Sequence, residues 1–198
     1  MPAEAEIQGL SSRFEQALTF AAQLHARQAR KGTTVPYVAH LLGVAALVLE
    51  DGGGEDEAIA ALLHDAVEDQ GGDPTRQEIR RRFGDKVVAI VDGCTDAEVT
   101  PKPPWLRRKK EYIERLRGAA PEVLRVSAAD KLYNARSVVA DLRRQGSSAW
   151  GKFKGGREGT LWYYRRLVQV YREAGPSFLV EELDRVVSEM ERLAGAVC

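Results

Sequence analysis

The residues best suited to chemistry lie in one short string, His64-Asp65-Ala66-Val67-Glu68-Asp69, which ends the apolar stretch Ala58-Ile59-Ala60-Ala61-Leu62-Leu63. At helical spacing His64 stands over Glu68, and Asp65 over Asp69. Three carboxylates in a last helical turn oppose the helix dipole, which favours cations at that end. A bound cation accounts for both the cluster and its position; a solvated helix end is the plainer alternative. A second polar row runs through 121–145, where Ser127, Asp130, Asn134 and Ser137 recur at intervals of three, four and three among Val123, Leu124, Val126, Leu132, Val138 and Val139. That spacing makes one stripe of a packed helix. An unpaired carboxylate there would be unfavourable. Lys131 and Arg136 are expected to point elsewhere, so the row reads as the wall of a cavity. His40, after Pro36-Tyr37, would by itself be a core histidine, and His25 reads as structural, through packing or a supporting hydrogen bond. Together His40, His64, Asp65 and Asp130 offer two imidazoles and two carboxylates. This nitrogen–oxygen set suits Mn, Fe or Zn with positions left for water, and the lack of thiolates argues against structural zinc.

Helices must position these groups. Ser12-x-x-Glu15 has the form of a capping box before the stripe Phe14, Leu18, Ala21, Ala22 and His25. A helix is expected over about 38–50, ended by Gly52-Gly53-Gly54, and a buried central helix over 55–69. Asp73-Pro74-Thr75-x-x-Glu78 suggests a second capping box, with shorter helices over about 75–83 and 85–97. The prolines in Thr100-Pro101-Lys102-Pro103-Pro104 require a loop. Helices follow over about 104–117 and 121–145, the latter opened by Pro121. A Gly- and Ser-rich loop is expected over 146–159, then closing helices over about 158–174 and 177–194, the last with Leu179, Leu183, Val186, Met190 and Leu193 on one face. No alternating run demands a strand. The expectation is an all-α, compact bundle of about eight helices. It forms a single domain over 1–198, with core motifs in 10–145 and helices of 158–195 packed on it.

The chain has 29 Lys and Arg against 29 Asp and Glu, a balance that argues against a nucleic-acid or anionic-membrane binder but allows a local basic pocket. Only Cys94 and Cys198 could pair, and this usage fits a reducing cytosol. The apolar run 41–49 is far shorter than the ~20 residues that span a bilayer, and the acidic N-terminus lacks a signal pattern. A cytoplasmic protein is expected, with oligomeric state left open.

His40, His64-Asp65 and Asp130 follow the H…HD…D order, and longer strings accompany them: Arg30-Lys31-Gly32, Pro36-Tyr37-x-x-His40, Leu62-Leu63-His64-Asp65-x-x-Glu68-Asp69, Phe83-Gly84, Val91-Asp92-Gly93-x-Thr95 and Asp130-Lys131-Leu132-x-Asn134-x-Arg136. In these the chain resembles the HD-domain metal-dependent phosphohydrolases, above all the Rel/Spo alarmone hydrolase domain and the stand-alone small alarmone hydrolases. The resemblance is close over about 10–145 and loose beyond. It implies an HD-domain fold, with His40, His64, Asp65 and Asp130 holding one Mn²⁺ per chain. Glu68 and Asp69 would position and deprotonate the attacking water. Arg30 and Lys31 would frame a guanine base, and Tyr37, Asn134 and Ser137 would line the nucleoside pocket. The implied reaction removes the 3′-pyrophosphate of (p)ppGpp, giving GDP or GTP and pyrophosphate.

The chain departs from that family at Leu41, where a Pro often follows the histidine, and at Ser127, where a Lys is common. The basic residues Lys102, Arg107, Arg108, Lys109 and Lys110 have little strict match; such a run is usually a solvated face, though it could meet phosphates. The aromatics Trp162, Tyr163 and Tyr164 are expected in the core. The segment after 145 is expected to be too short for a synthetase domain. The alternatives are a phosphohydrolase of another nucleotide, such as an NADPH 2′-phosphatase, and a non-catalytic nucleotide-sensing module. The latter would lose metal ligands or the Glu68–Asp69 pair, whereas all six residues are present.

Overall fold

The apolar run before His64 decides the architecture, because a helix without a polar face must be covered on all sides. A computed structural model describes residues 9–96 and 101–195. In it α3 (Glu55–Leu63) is a central helix whose residues 58–63 are fully buried. Around it stand α1 (Ser12–Leu24), α2 (Val38–Glu50), α6 (Asp85–Cys94) and α8 (Pro121–Gln145), each packed directly on α3. The remaining helices are α4 (Ala66–Asp69), α5 (Asp73–Phe83), α7 (Trp105–Leu116), α9 (Gly156–Ala174) and α10 (Phe178–Gly195), with a 3₁₀ turn over Gly146–Lys152. Among the described residues there is no strand, only an isolated antiparallel bridge between Ala29 and Pro36. The all-α expectation holds. No described helix is long and apolar enough to cross a membrane.

Several local expectations need correcting. The central helix does not run unbroken to Asp69. His64 Nδ1 lies 2.7 Å from the Ala61 carbonyl, the acceptor that a continuing helix would give to the Asp65 amide, and the ladder stops until α4 begins. Ser11 rather than Ser12 caps α1, its hydroxyl accepting from the Arg13 amide at 3.2 Å. The second capping box is not made: α5 starts at Asp73 behind Gly72, and the Thr75 hydroxyl instead donates to the Gln70 carbonyl at 2.5 Å. The Gly/Ser-rich stretch folds as the 3₁₀ turn, and α9 already begins at Gly156. Pro121 opens α8 as expected. Cys198, Thr100 and the first eight residues lie outside the described residues.

Two close approaches bring the site together. A Cβ at Gly43 of α2 would stand 2.0 Å from the Tyr133 ring, so only glycine lets α8 come this near. Tyr133 in turn packs against His40, with ring centroids 5.1 Å apart. On the other side α8 carries α10 along much of its length, tied at the surface by Arg136–Glu182 and Arg143–Glu189. Tyr163 and Tyr164 are buried as expected, while Trp162 is half-buried.

Candidate active site

His40 comes from the first turn of α2, His64 and Asp65 from the break between α3 and α4, and Asp130 from the middle of α8. Both imidazoles are buried, Asp130 is buried and Asp65 is partly open. His40 Nε2 lies 3.3 Å from His64 Nε2, 3.3 Å from Asp130 Oδ1 and 3.7 Å from Asp65 Oδ2. His64 Nε2 lies 3.1 Å from Asp65 Oδ2 and 3.6 Å from Asp130 Oδ1. An ion about 2.1 Å from each donor would separate neighbouring donors by about 3.4 Å in a tetrahedron and about 3.0 Å in an octahedron. The observed spacings match. His40, His64 and Asp65 each offer an atom within 4.8 Å of the others, and Asp130 joins through the two imidazoles.

The hydrogen bonds prepare these atoms as ligands. The Ala61 carbonyl can only accept, so His64 carries a hydrogen on Nδ1 and Nε2 is the atom turned towards His40, Asp65 and Asp130. Burial opposes charge at His64, but Asp65 and Asp130 outweigh it and hold the ring well above the usual histidine range. Burial likewise opposes ionisation of Asp65 and Asp130. His64 and His40 nevertheless hold Asp65 well below the usual carboxylate range, and Lys131 with the two imidazoles does the same for Asp130. Two ionised carboxylates that draw a proton onto a buried imidazole form a place that favours a cation.

Asp130 is not left to the histidines alone. Contrary to the sequence expectation, Lys131 turns back to it, Nζ to Oδ2 at 2.5 Å, while Arg136 does point away to Glu182. The Asn134 amide donates to Asp130 Oδ1 at 2.6 Å, and its oxygen accepts from Arg30 at 2.8 Å; Arg30 also reaches Ser137 at 3.3 Å. Arg30, Asn134 and Ser137 therefore form one group. The Tyr37 hydroxyl donates to Asp65 Oδ2, and burial together with Asp65 keeps the phenol protonated. Lys31 is separate, its ammonium on the Lys152 carbonyl at 2.5 Å. Ser127 does not belong to the cavity wall: it is buried, its hydroxyl 2.6 Å from both the Tyr112 and Tyr171 hydroxyls.

Glu68 and Asp69 lie one turn beyond the cluster. Glu68 accepts from Lys102 at 2.6 Å and from the Asp96 amide at 3.1 Å. Asp69 accepts from Gln28 at 2.8 Å. Partial burial raises the Asp69 pKa, Asp65 and Glu68 add to the rise, and Gln28 and Lys102 oppose it. The basic run divides. Arg107 pairs with Glu111 at the surface, whereas Arg108 and Lys109 both reach Asp96 Oδ2. Sequence reasoning missed Gln28, Lys131 and Tyr133. A neutral amide in a loop carries no charge signal, and Lys131 folds back on its neighbour because both side chains are largely buried.

The fold and site define an all-helical protein with a buried His/Asp centre suited to a divalent metal. The HD domain family matches residues 17–161. The guanosine-3′,5′-bis(diphosphate) 3′-pyrophosphohydrolases MESH1 of Xenopus tropicalis and Homo sapiens are 39% and 37% identical over 140 and 142 residues, covering 69% and 70% of this chain and 73% and 74% of theirs. A solved structure described as a metazoan ortholog of SpoT that hydrolyzes ppGpp superposes with a TM-score of 0.76 at 27% identity, covering 91% of this chain and 97% of that one. The chain belongs to the HD-domain phosphohydrolases, in their Rel/Spo-type branch.

Proposed function

We propose that the protein removes the 3′-pyrophosphate of (p)ppGpp, releasing GDP or GTP and pyrophosphate, with Mn²⁺ held by His40, His64, Asp65 and Asp130. The observation that carries this reading is the four-donor cluster, at ligand spacing, with two further acids one turn beyond it. The names of its relatives support the substrate. When bound, the ion supplies Lewis acidity towards water and the phosphoryl oxygens.

The chain's own groups do the rest. Asp69, with a raised pKa, accepts the proton of the attacking water, and Glu68 beside it orients that water. The water oxygen bonds to the phosphorus nearest the ribose, the bond from that phosphorus to the 3′ oxygen breaks, and the 3′ oxygen leaves with the proton that Asp69 took from the water. Arg30, tied through Asn134 to Asp130, brings a guanidinium to the edge of the site, where it can lie flat on a purine. Tyr37 fixes Asp65, Ser137 stands with Arg30 and Asn134 on the nucleoside side, and Lys31 would have to leave the Lys152 carbonyl to reach the base.

The test is incubation of pure protein with ppGpp and Mn²⁺, with and without chelator, and identification of the phosphate released. Chelator-sensitive release of pyrophosphate is expected, with Asp65→Ala inactive. If the protein spares ppGpp and frees orthophosphate from another nucleotide such as NADPH, the substrate assignment fails. If Asp65→Ala keeps the wild-type rate, the metal assignment fails.

A further inference from the structure

We infer that Gln28 is a positioning residue: its amide grips one oxygen of Asp69 and so aims the other at the attacking water. This rests on the reading of Asp69 as the base.

Gln28 lies in the loop between α1 and α2, and backbone hydrogen bonds fix it on both sides. Its amide donates to the His25 carbonyl at 3.0 Å, its carbonyl accepts from the Tyr37 amide at 2.9 Å, and the Ala29–Pro36 bridge closes the loop around it. Its side-chain Nε2 donates to Asp69 Oδ2 at 2.8 Å. Its Oε1 lies 2.7 Å from His25 Nδ1 and accepts from Gln70 Nε2 at 2.5 Å.

The orientation of that amide is forced. An ionised Asp69 can only accept, so the NH₂ must face it and Oε1 must face His25. His25 Nδ1 then carries the hydrogen. Burial lowers the His25 pKa, so the ring serves as a neutral donor. The result is a directed chain, His25 Nδ1–H to Gln28 Oε1 and Gln28 N–H to Asp69 Oδ2, in which each bond polarises the next. Among the described residues Asp69 Oδ1 has no hydrogen bond, so one carboxylate oxygen is held and the other is left to take a proton. His25 also stacks on Tyr37, 5.1 Å between centroids, and Tyr37 holds Asp65. One loop therefore supports both Asp65 and Asp69. Besides Gln28, the charged groups acting on Asp69 are Asp65 and Glu68, which raise its pKa, and Lys102, which lowers it.

The alternative is that Gln28 merely fastens the loop to α4. Steady-state kinetics over pH separates the two, measured with ppGpp on the Mn²⁺-loaded protein together with Mn²⁺ binding and thermal unfolding. Gln28→Leu removes the donor; it should lower kcat about ten-fold, the scale of one hydrogen bond to a charged group, with KM and Mn²⁺ affinity unchanged. The acid limb of kcat should move to higher pH, because a bond to the charged form is lost. Gln28→Glu keeps an acceptor for His25 and Gln70 and so protects the fold, but sets a carboxylate against Asp69; its acid limb should move further still. If both variants keep the wild-type kcat and acid limb while Asp69→Asn is inactive, the inference fails and the reading of the site stands. If melting temperature falls but the limb stays, Gln28 is only a fastener and the inference fails. If Asp69→Asn keeps the wild-type rate, the reading of Asp69 falls and takes this inference with it.

Discussion

Lys131→Met tests whether Asp130, a proposed metal ligand, depends on a cation built into α8. The Lys131 and Asp130 side chains are 15% and 9% exposed and meet at 2.5 Å. An exposed pair would be worth about 0–1 kcal/mol, whereas losing one partner of a buried pair costs about 3–5 kcal/mol. This pair sits near the buried limit. Asp130 keeps the Asn134 amide and both imidazoles, which softens the loss, while the ammonium also lies 5.0 Å from the Tyr112 ring. Methionine retains the stem's bulk. The expected loss in chelator is about 3 kcal/mol, read from urea unfolding of wild type and variant.

The pH dependence has a definite sign. Lys131 is held well above the usual lysine range and Asp130 well below the carboxylate range. The pair therefore stabilises fully between the unfolded pKa values, about 4 and about 10.4. Its contribution falls as pH drops through the folded Asp130 pKa, or rises through the folded Lys131 pKa. The deficit of the variant should shrink at acid pH. Saturating Mn²⁺ should also narrow it if the proposed site is right, because the ion would bind the native state and supply positive charge to Asp130. A variant within about 0.5 kcal/mol of wild type at neutral pH refutes a buried, mutually dependent pair. A deficit equally large at acid pH refutes the electrostatic account and leaves packing.

Other outcomes follow from the same geometry. Ser127→Ala strips the shared partner from the Tyr112 and Tyr171 hydroxyls and should destabilise by about 2 kcal/mol in urea unfolding; a neutral result would mean the phenols find other partners. The acid limb of kcat should lie above the ordinary aspartate range, because Asp69 is raised, and Lys102→Met should move it higher by removing a cation that favours the charged form; a limb that moves down contradicts the Asp69 assignment. In a Cys198→Ser background Cys94, whose thiol is pushed up to about 12 by burial, should react with a disulfide reagent far more slowly than after denaturation. Its contribution to stability, full below the unfolded thiol pKa, should be lost as pH rises from there towards the folded value of about 12, and rapid native labelling would contradict a sheltered sulfur.

Much of the centre was legible from local pattern. His64-Asp65 stood out because an apolar helix should not end in acids, and Asp130 because a packed helix should not carry a bare carboxylate. These are violations of burial rules, and burial rules operate on sequence. Residue strings, rather than periodicity, linked His40 to them, since a lone buried histidine looks like any other core residue. The resemblance sets Arg30 and Lys31 on the base and Tyr37, Asn134 and Ser137 along the nucleoside; Arg30, Asn134 and Ser137 lie together, whereas Lys31 reaches the Lys152 carbonyl and Tyr37 reaches Asp65. Ser127 continued the stripe by spacing but faces two tyrosines, because a 25-residue helix meets different neighbours along its length.

The amino-acid sequence by itself determined that the chain is helical, where its acids break the apolar pattern, and which four donors were available. Helical period and the penalty for buried charge depend on near neighbours in the chain. Only the tertiary structure decided that Lys131 serves Asp130, that His64 interrupts its own helix, that Gly43 lets α8 approach α2, and that a neutral glutamine grips Asp69. Those outcomes hang on how far helices are rotated and how close they come. Gly43 and Tyr133, like Gln28 and Asp69, are far apart in the chain, where no local spacing records their approach, while Lys131–Asp130 and His64–Ala61 are near neighbours whose pairing the surrounding burial selects.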